Sequence, residues 1–411
     1  MSAQPKVSIG IPSYNHARYL PAAIESVLAQ TYRNIELVIV DDGSTDDSLR
    51  IAREYEARHP AVVRVLTHAG GRNLGVTKTV NLMFEQSAGD YLSGLPSDDL
   101  LYPYKIEEQV AYLESHPSVG WVYGYAHLAD GDGRVRPEWG LFGRDVTRAP
   151  DPVERLLEGN AVPGMTVLLR RACLALIEPH DPALVYSDWD FWLRLMAHAP
   201  AGFLPRPLVK YRVHGANTSI GSALDLNLQR CLDVLLKLRR EAAAVGGALA
   251  RPRTRALIEL QCAFLLYLLD DERAAALCVR AAFAADPTLG RDAAYVARWL
   301  AARRAELVAS ARALPGRQLF HAWFVAQVPA AGAGASFADD LRRRTRGWRF
   351  GPAAAPVHAL GAWLAVRRQL LDCLRHEPAR ARDPRLLARY ATALVGYRLV
   401  KLARSLGVVE A

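Results

Sequence analysis

The sequence predicts an α/β fold with a mostly parallel sheet in its first half, followed by an all-α region. Four apolar runs have the length of short buried strands: 6–12, 35–40, 62–66 and 90–95. Segments of helical period separate them, at 19–31, 46–58 and 76–86. Strands that alternate with helices imply right-handed crossovers and therefore parallel strands. We expect an α/β domain over residues 1–222.

Residues 223–411 are expected to form a separate, mainly helical and basic region. From about residue 225 the chain consists of long Ala-, Leu- and Arg-rich segments of helical period, with little strand signal. Residues 221–411 hold 30 Lys and Arg against 16 Asp and Glu, a net charge of +14. Residues 1–220 hold 21 against 26, a net charge of −5, so the overall +9 conceals two halves of opposite sign.

The basic half suggests contact with an anionic surface. Five arginines lie close together around Trp348, namely Arg342, Arg343, Arg344, Arg346 and Arg349. Arginine beside tryptophan suits the headgroup region of a membrane, so we expect peripheral binding to the inner face of the plasma membrane. Packing on the α/β domain or homo-oligomer formation is the alternative, and a general preference for arginine is another, since only six of the 51 basic residues are lysine. No nucleic-acid-binding module is recognisable.

The cysteine pattern and the apolar segments bear on the compartment. The five cysteines include no C-x-x-C pair, which argues against a disulfide framework or a zinc site and favours a reducing compartment. A strand pattern begins by Val7 where a signal peptide would lie, so a cytoplasmic protein is expected. The charge-free segments 319–338 and 350–366 are Ala- and Gly-rich and do not resemble membrane spans.

Polar clusters follow two of the predicted strands. Asp41 and Asp42 come directly after the second strand, where ligands bind in parallel sheets, and their carboxylates can accept hydrogen bonds from a base or a ribose. Asp98 and Asp99 follow the fourth strand, and paired carboxylates there suit a hard divalent cation that is also bound by substrate phosphates. In both places the alternative is a turn or a helix cap.

The segment 187–195 predicts an amphipathic helix with Ser187 as its N-cap. Asp188 then lies in the first turn, where the helix dipole favours the ionised carboxylate that a general base requires. Asp190 is the rival base, although a helix points it roughly 200° away. Trp189 and Trp192 are expected to pack in the core rather than to stack on a sugar.

Taken in order, these segments resemble the family 2 glycosyltransferases over roughly residues 5–220. The resemblance is carried by the segments 7–15, 24–32 and 36–46, then by 73–75, Asn81, 88–91 and Asp98, and finally by 187–195 and 211–219. It implies a GT-A fold, a mixed-sheet relative of the doubly wound fold. It also implies transfer of a sugar from a nucleotide-diphosphate donor, with UDP as the commonest leaving group in the family, to a glycan or lipid-linked acceptor in polysaccharide assembly.

The family pattern also assigns roles to residues. The implied nucleotide-binding residues are Pro12, Ser13, Tyr14, Asp41, Asp42, Arg72 and Asp98. The resemblance implies that Asp98 binds Mg²⁺ or Mn²⁺ against the diphosphate, with His214 as a further ligand, although a lone histidine is usually structural. Asp188 is the implied base of a single displacement that inverts the anomeric centre.

Two departures from the family pattern leave alternatives open. Pro96 stands where the metal motif usually has its first Asp, and Ser187 stands where an acidic residue often precedes the base. A non-catalytic sugar-nucleotide or glycan-binding module is therefore the alternative function. A processive synthase is less consistent with the sequence, because 295–299 lacks the Gln of the Gln-x-x-Arg-Trp motif and no clear span is present. A nicotinamide oxidoreductase is excluded by the missing Gly-rich turn after the first strand.

Overall fold

The computed structural model describes residues 4–215, 217, 224–310, 320–328 and 335–345. Its first half begins with alternating strands and helices: β1 Val7–Ser13, α1 Leu20–Leu28, β2 Ile35–Asp41, α2 Ser48–Arg58, β3 Val63–Thr67, α3 Val76–Gln86 and β4 Tyr91–Gly94. It continues with β5 Leu100–Leu101, α4 Lys105–Ser115, β6 Trp121–Ala129, β7 Leu141–Phe142, α5 Pro152–Leu157, β8 Leu168–Arg170, α6 Ser187–His198 and β9 Ala201–Arg212. The four strands expected from the apolar runs are therefore present, with ends that differ by at most one residue.

The described strands form one mixed sheet in the order β3-β2-β1-β4-β8-β6-β9-β5, with β7 paired to β6. The first four strands in this order are mutually parallel. β8 pairs antiparallel with both β4 and β6, whereas β6 and β9 are parallel. Because the first four strands are parallel, their carboxyl ends meet at one edge of the sheet, and the predicted Asp41, Asp42 and Asp98 follow those ends.

Burial explains why the apolar runs predict the strands so closely. Val7, Ile9 and Ile11 of β1 have no exposed surface, and the residues between them are also buried, as in a strand that is covered on both faces. α1 buries Leu20, Ala23, Ile24 and Val27, which recur at helical spacing and face this sheet core. Each such Leu, Ile or Val contributes about 1.5–3 kcal/mol by leaving water.

One buried lysine has only neutral hydrogen-bond partners among the described residues. Lys105, at the start of α4, has no exposed surface, and its Nζ donates to Ser93 Oγ at 2.8 Å and to the Val167 carbonyl oxygen at 3.4 Å. Burial disfavours the ammonium form and lowers the pKa of Lys105 to about 7. The folded protein therefore binds this proton much less tightly than the unfolded chain does.

Replacing Lys105 with methionine is expected to flatten the pH dependence of stability. Between the folded pKa near 7 and the unfolded value of ~10.4, the unfolded chain binds more protons, so stability rises with pH. Lys105 is expected to increase the free energy of unfolding by about 2 kcal/mol as the pH rises from 7 to 9. Urea unfolding at several pH values should show that Lys105→Met lacks this rise, while Lys78→Met, at an exposed lysine of α3, keeps it. Equal slopes in wild type and Lys105→Met would contradict this account.

From residue 224 onward the described part of the chain contains helices and no strand. These helices are α7 Leu224–Val245, α8 Pro252–Leu268, α9 Glu272–Ala285, α10 Ala293–Ser310, α11 Phe320–Gln327 and α12 Ala335–Thr345. Their core includes an aromatic cluster of Phe264, Tyr267, Trp299, Phe320 and Phe324. None of the described helices combines the length and the apolarity that crossing a membrane would require. The predicted helical character of this region is confirmed.

Contacts divide the chain into two compact units. The first comprises residues up to Val213 together with Asp233–Thr254, and the second comprises His214–Leu232 together with the residues from Arg255 onward. Thus the second half of α7 and the first residues of α8 pack with the α/β unit. The expected division between residues 222 and 223 remains a prediction about domains, and it does not coincide with any of the three changes of unit.

The basic segment expected to bind a membrane is described only in part. Arg342 pairs with Asp339, and Arg343 and Arg344 pair with the half-buried Asp340, all on α12. These acidic residues offset much of the local positive charge. Arg346, Trp348 and Arg349 lie outside the described residues, as does the segment 350–366. The expectation of an anionic surface therefore remains a prediction.

Candidate active site

Asp41 and Asp42 end β2 and begin a tight loop. Asp41 is paired in register with Ser13 of β1, and its carboxylate accepts the Ser44 N–H at 3.0 Å and the Ser44 hydroxyl at 2.6 Å. α2 begins only at Ser48, so neither aspartate caps that helix. The turn alternative therefore describes Asp41, whose two bonds to Ser44 stabilise the loop.

The Asp42 carboxylate ties this loop to the beginning of α3. Its two oxygens accept the backbone N–H groups of Leu74 at 2.7 Å and Gly75 at 3.0 Å, and Oδ1 lies 3.4 Å from His68 Nε2. These bonds use part of its acceptor capacity and leave further lone pairs on each oxygen. A contact from Asp42 to a nucleotide base stays a prediction.

Gly43 allows the Asp41–Asp42 loop to pack closely against the loop that precedes α3. Its φ is +73°, and a Cβ built there would lie 2.7 Å from the Gly71 carbonyl oxygen and from the Asn73 nitrogen. Only glycine tolerates both the left-handed backbone and this proximity. The close packing brings the exposed Arg72 beside the Asp42 loop, where it was expected to approach the nucleotide.

The predicted nucleotide residues of β1 lie at the same sheet edge. Pro12 and Ser13 are the last residues of β1, and Tyr14, which follows them, is 45% exposed. The buried Ser13 Oγ has no hydrogen-bond partner among the described residues, so a donor or acceptor on a ligand could satisfy it. Next to them, Asn15 takes a left-handed conformation, and its Oδ1 accepts the Thr45 N–H at 2.7 Å.

A buried turn carries the second acidic pair. The Asp99 N–H donates to the Pro96 carbonyl oxygen at 3.1 Å, and α4 begins only at Lys105, so the segment is a turn and not a helix cap. Asp99 accepts the Arg212 N–H at 2.8 Å, and the Arg212 guanidinium donates to the Asp98 carbonyl oxygen. Burial and the adjacent Asp98 charge raise the pKa of Asp99 well above its usual value. The other Asp99 oxygen, Oδ2, is buried and has no hydrogen-bond partner among the described residues.

These observations bear on whether a divalent cation fits here. Within the described residues, no group of three or more His, Cys, Asp and Glu side chains is arranged to bind a metal ion. A cation at Asp98 would therefore take its remaining ligands from a diphosphate and water, which is how hard Mg²⁺-like ions are usually bound. The Asp98 carboxylate and the neighbouring Asp99 Oδ2, which has no hydrogen-bond partner among the described residues, are compatible with such a cation site. His214 belongs to the second unit, where its N–H donates to Asn217 Oδ1 at 2.6 Å, and its role as a ligand stays a prediction.

Asp188 lies in the first turn of α6, as predicted, although Ser187 is not the cap. The helix begins at Ser187 and the preceding Tyr186 occupies the N-cap position without a side-chain hydrogen bond. Asp188 Oδ2 accepts from Asn160 Nδ2 at 2.8 Å, and Oδ1 accepts the Trp189 N–H at 2.8 Å. The carboxyl of Asp188 is half-buried, and this loss of contact with water raises the pKa of Asp188 in spite of the two bonds. No lysine or arginine in the described part of the chain pairs with it.

Asp190 has an entirely different environment. It has no exposed surface, and its Oδ2 accepts from Arg194 Nε at 2.9 Å and from a second guanidinium nitrogen at 2.7 Å. Lys237 Nζ, from α7, lies 3.1 Å from its other oxygen. The rival base is therefore enclosed in a buried ion cluster of Asp190, Arg194 and Lys237, where no substrate hydroxyl can approach it.

Both tryptophans of α6 are core residues, as expected. Trp189 donates its indole N–H to the Leu156 carbonyl oxygen at 2.9 Å, and Trp192 stacks on Trp121 with ring centroids 5.5 Å apart. Sequence reasoning did not assign roles to Asn160, His180 or Lys237, which contact the α6 segment from a distance along the chain. None of these three residues stands in one of the motifs, so no local signal could have identified them.

Comparisons with known proteins identify the family of this chain. The profile described as Glycosyl transferase family 2 matches residues 8–175. The putative glycosyltransferase EpsE of Bacillus subtilis (strain 168) is 31% identical over 217 residues, which cover 52% of this chain and 74% of that protein. An uncharacterized glycosyltransferase, alr2836, of Nostoc sp. (strain PCC 7120 / SAG 25.82 / UTEX 2576) is 32% identical over 228 residues, or 53% of this chain and 68% of that protein.

A solved structure of S. aureus TarS in complex with UDP-GlcNAc is 18% identical and covers 84% of this chain and 92% of that chain, with a TM-score of 0.49. The sequence relatives define the class of the protein, which is a glycosyltransferase. The chain belongs to glycosyltransferase family 2. The predicted family is confirmed, and so is the predicted fold class, since the described residues form a mixed α/β sheet domain followed by a helical region.

Proposed function

We propose that this enzyme transfers a sugar from a nucleotide-diphosphate sugar to an acceptor hydroxyl with inversion, and that Asp188 is the general base. The observation that carries the proposal is the contrast within one turn of α6. Asp190 is enclosed by Arg194 and Lys237, whereas Asp188 is half-buried, is held by Asn160 and has a raised pKa. A carboxylate with a raised pKa accepts a proton more readily, which suits a base that works near neutral pH.

In this mechanism the protein's own groups position the reactants. The Asp41–Asp42 loop and the end of β1, with Ser13 and Tyr14, receive the nucleotide at the carboxyl edge of the parallel strands. Asp188 accepts the proton of the attacking acceptor hydroxyl, and the hydroxyl oxygen forms a bond to the anomeric carbon as the bond to the nucleoside diphosphate breaks. Asn160 orients the Asp188 carboxylate. A single displacement of this kind inverts the anomeric centre.

We propose that Asp98 binds Mg²⁺ or Mn²⁺ together with the donor diphosphate. Such a cation, when bound, stabilises the negative charge on the departing diphosphate. The buried turn at Asp98 supports the proposal through its carboxylate oxygens and the partnerless Asp99 Oδ2. We take the chemical classes of the two substrates from the family. The nucleotide is UDP, and the acceptor is a glycan or a lipid-linked molecule on the cytoplasmic side.

A panel of sugar-nucleotides tests the proposal directly. We expect slow release of free nucleotide from at least one donor without acceptor, stopped by excess chelator and restored by Mg²⁺ or Mn²⁺. Asp98→Ala should weaken donor binding about tenfold or more with metal present, because hydrogen bonds and contacts to charged groups are worth about 1.5–3 kcal/mol. Without metal it should bind the donor as the wild type does. Calorimetry of donor binding in Mg²⁺ and in EDTA measures both.

The matched control is Glu54→Ala, which removes an exposed carboxylate of α2. It should bind donor like the wild type in both buffers. Full turnover in excess chelator would refute the proposed metal requirement and would indicate that Pro96 belongs to a metal-independent site. Donor binding without any turnover would instead favour the non-catalytic binding module, the alternative that Pro96 leaves open.

A further inference from the structure

Helix α3 runs from the proposed donor loop to the start of α6. At its N-terminus, the Asp42 carboxylate accepts the N–H groups of Leu74 and Gly75. Along its length, two side chains of α3, Thr77 and Asn81, reach residues that precede Asp188. The helix therefore contacts both the loop assigned to the nucleotide and the segment that carries the proposed base.

Asn81 clamps the backbone of one residue from both sides. Its Oδ1 accepts the His180 N–H at 3.0 Å, and its Nδ2 donates to the His180 carbonyl oxygen at 2.8 Å. The two residues are 99 positions apart in the sequence. A side-chain amide that satisfies both backbone groups of one residue replaces the partner strand which that residue lacks. The position of His180 is thus set by α3.

The His180 imidazole in turn contacts two residues of α6. The ring is buried and stacks on Phe191 with centroids 4.1 Å apart and planes 6° from parallel. Its Nδ1 lies 3.3 Å from the Ser187 carbonyl oxygen, and because a carbonyl oxygen only accepts, Nδ1 carries the hydrogen. Burial lowers the pKa of His180 to about 4, so the ring is neutral at ordinary pH and keeps this one tautomer.

A second contact reaches the same residue. Thr77 Oγ1 lies 3.2 Å from Ser187 Oγ, so the hydroxyl of Ser187 and its carbonyl oxygen are each engaged, one by α3 and the other by His180. Ser187 is the first residue of α6 and directly precedes Asp188. The Tyr186 side chain at the N-cap makes no hydrogen bond. The two contacts to Ser187 hold the first residue of the helix, although they do not accept from the N–H groups that a cap would satisfy.

We propose that Asn81 and His180 are positioning residues for the base, which hold the first turn of α6 so that the Asp188 carboxylate stays at the reacting hydroxyl. The inference rests on the role of Asp188 proposed above. Neither residue contacts substrate in this proposal. The hydrogen bonds from α3 keep the base in a fixed position relative to the Asp41–Asp42 loop, because Asp42 is bonded to the beginning of the same helix.

Kinetics of variants test this inference with acceptor and donor both present. Asn81→Ala is expected to lower kcat about 10–100-fold, since a displacement of about 1 Å at a reacting group costs up to ~10²-fold in rate. The donor KM should change less than twofold, because the donor contacts are retained. Glu85→Ala, at an exposed position one turn further along α3, is the matched control and should keep the wild-type kcat.

A pair of His180 variants separates positioning from packing. His180→Phe keeps an aromatic ring against Phe191 but loses the Nδ1 donor, whereas His180→Asn keeps an N–H donor near that position and loses the ring. If the bond to Ser187 positions the base, His180→Asn should retain more kcat than His180→Phe, even if it is the less stable of the two in thermal unfolding. A purely structural role gives the reverse order, with kcat following the melting temperature, and would overturn the inference. Should Asn81→Ala not fold, this pair decides the question.

Asp188→Asn, assayed in parallel, distinguishes the two levels of the proposal. If Asp188→Asn is inactive while Asn81→Ala and His180→Phe fold and retain wild-type kcat, the positioning inference is wrong and the base assignment stands. If Asp188→Asn retains wild-type activity, the base assignment itself fails and the inference built on it falls with it. Loss of kcat in Asp188→Asn, Asn81→Ala and His180→Phe, but not in Glu85→Ala, supports both.

Discussion

Replacing Asp188 with asparagine is expected to abolish sugar transfer while leaving donor binding nearly unchanged. Asparagine keeps the size of the side chain, and its one carbonyl oxygen can still accept one of the two bonds, from Asn160 or from the Trp189 N–H, but it does not take up a proton at neutral pH. Loss of a general base typically costs ~10²–10⁴-fold in rate. Steady-state transfer assays give the change in kcat, and calorimetric titration gives the donor affinity.

The pH profile adds an independent check on the same residue. The base acts only when it is ionised, so kcat should fall as the pH falls through the pKa of Asp188. Because removal from water raises that pKa, the acid limb should lie above the range of an ordinary aspartate. An Asp188→Asn enzyme that transfers sugar at the wild-type rate would disprove the assignment, all the more if a folded Asp190→Asn enzyme lost the activity.

Removing the Asp190 side chain is expected to reduce stability more than any other single change discussed here. Asp190→Ala leaves the buried Arg194 guanidinium and the largely buried Lys237 ammonium without their shared carboxylate. Removing one partner of a buried ion pair typically costs about 3–5 kcal/mol, because the remaining charge stays buried and uncompensated. Urea unfolding followed by circular dichroism measures this loss.

Glu241→Ala provides the control for the Asp190 experiment. Glu241 pairs with the same Lys237 at 2.9 Å, but its side chain is 42% exposed, so the loss should stay below about 1 kcal/mol. Equal losses for Asp190→Ala and Glu241→Ala would contradict the idea that burial sets the difference. Both variants remove a carboxylate from the same lysine, but only Asp190→Ala also deprives the buried Arg194 of its partner.

The elements around the parallel strands were predictable because their signals are local. A buried strand such as β1 is a continuous apolar run, and α1 repeats its apolar residues at helical spacing, so neither depends on distant partners. The second half of the sheet was not predicted in detail. There β6 and β9 pair in parallel with register shifts near Tyr125, and short strands such as β5 and β7 carry no periodic signal.

The candidate site was predictable only where its residues stand in motifs. Asp188 was placed in the first turn of a helix from the sequence alone, but the predicted Ser187 cap was wrong because Ser187 already lies inside the helix. The buried state of Asp190 depends on Lys237, which lies 47 residues away, so no local pattern distinguishes the two aspartates beyond their opposite helical faces. Asn160 is likewise 28 residues from the carboxylate that it orients.

The position of Lys237 has a consequence for how this protein can be divided and recombined. A gene fragment that stops at residue 222 encodes every family motif, yet it omits the cation that helps neutralise Asp190 and the whole of Asp233–Thr254, which packs with the motif-bearing unit. The helical region therefore cannot be exchanged for another domain at a boundary placed directly after the last motif. A chimera that borrows another tail has to retain residues 233–254, or supply a cation of its own at Asp190, before the sugar-transferring half can be expected to fold.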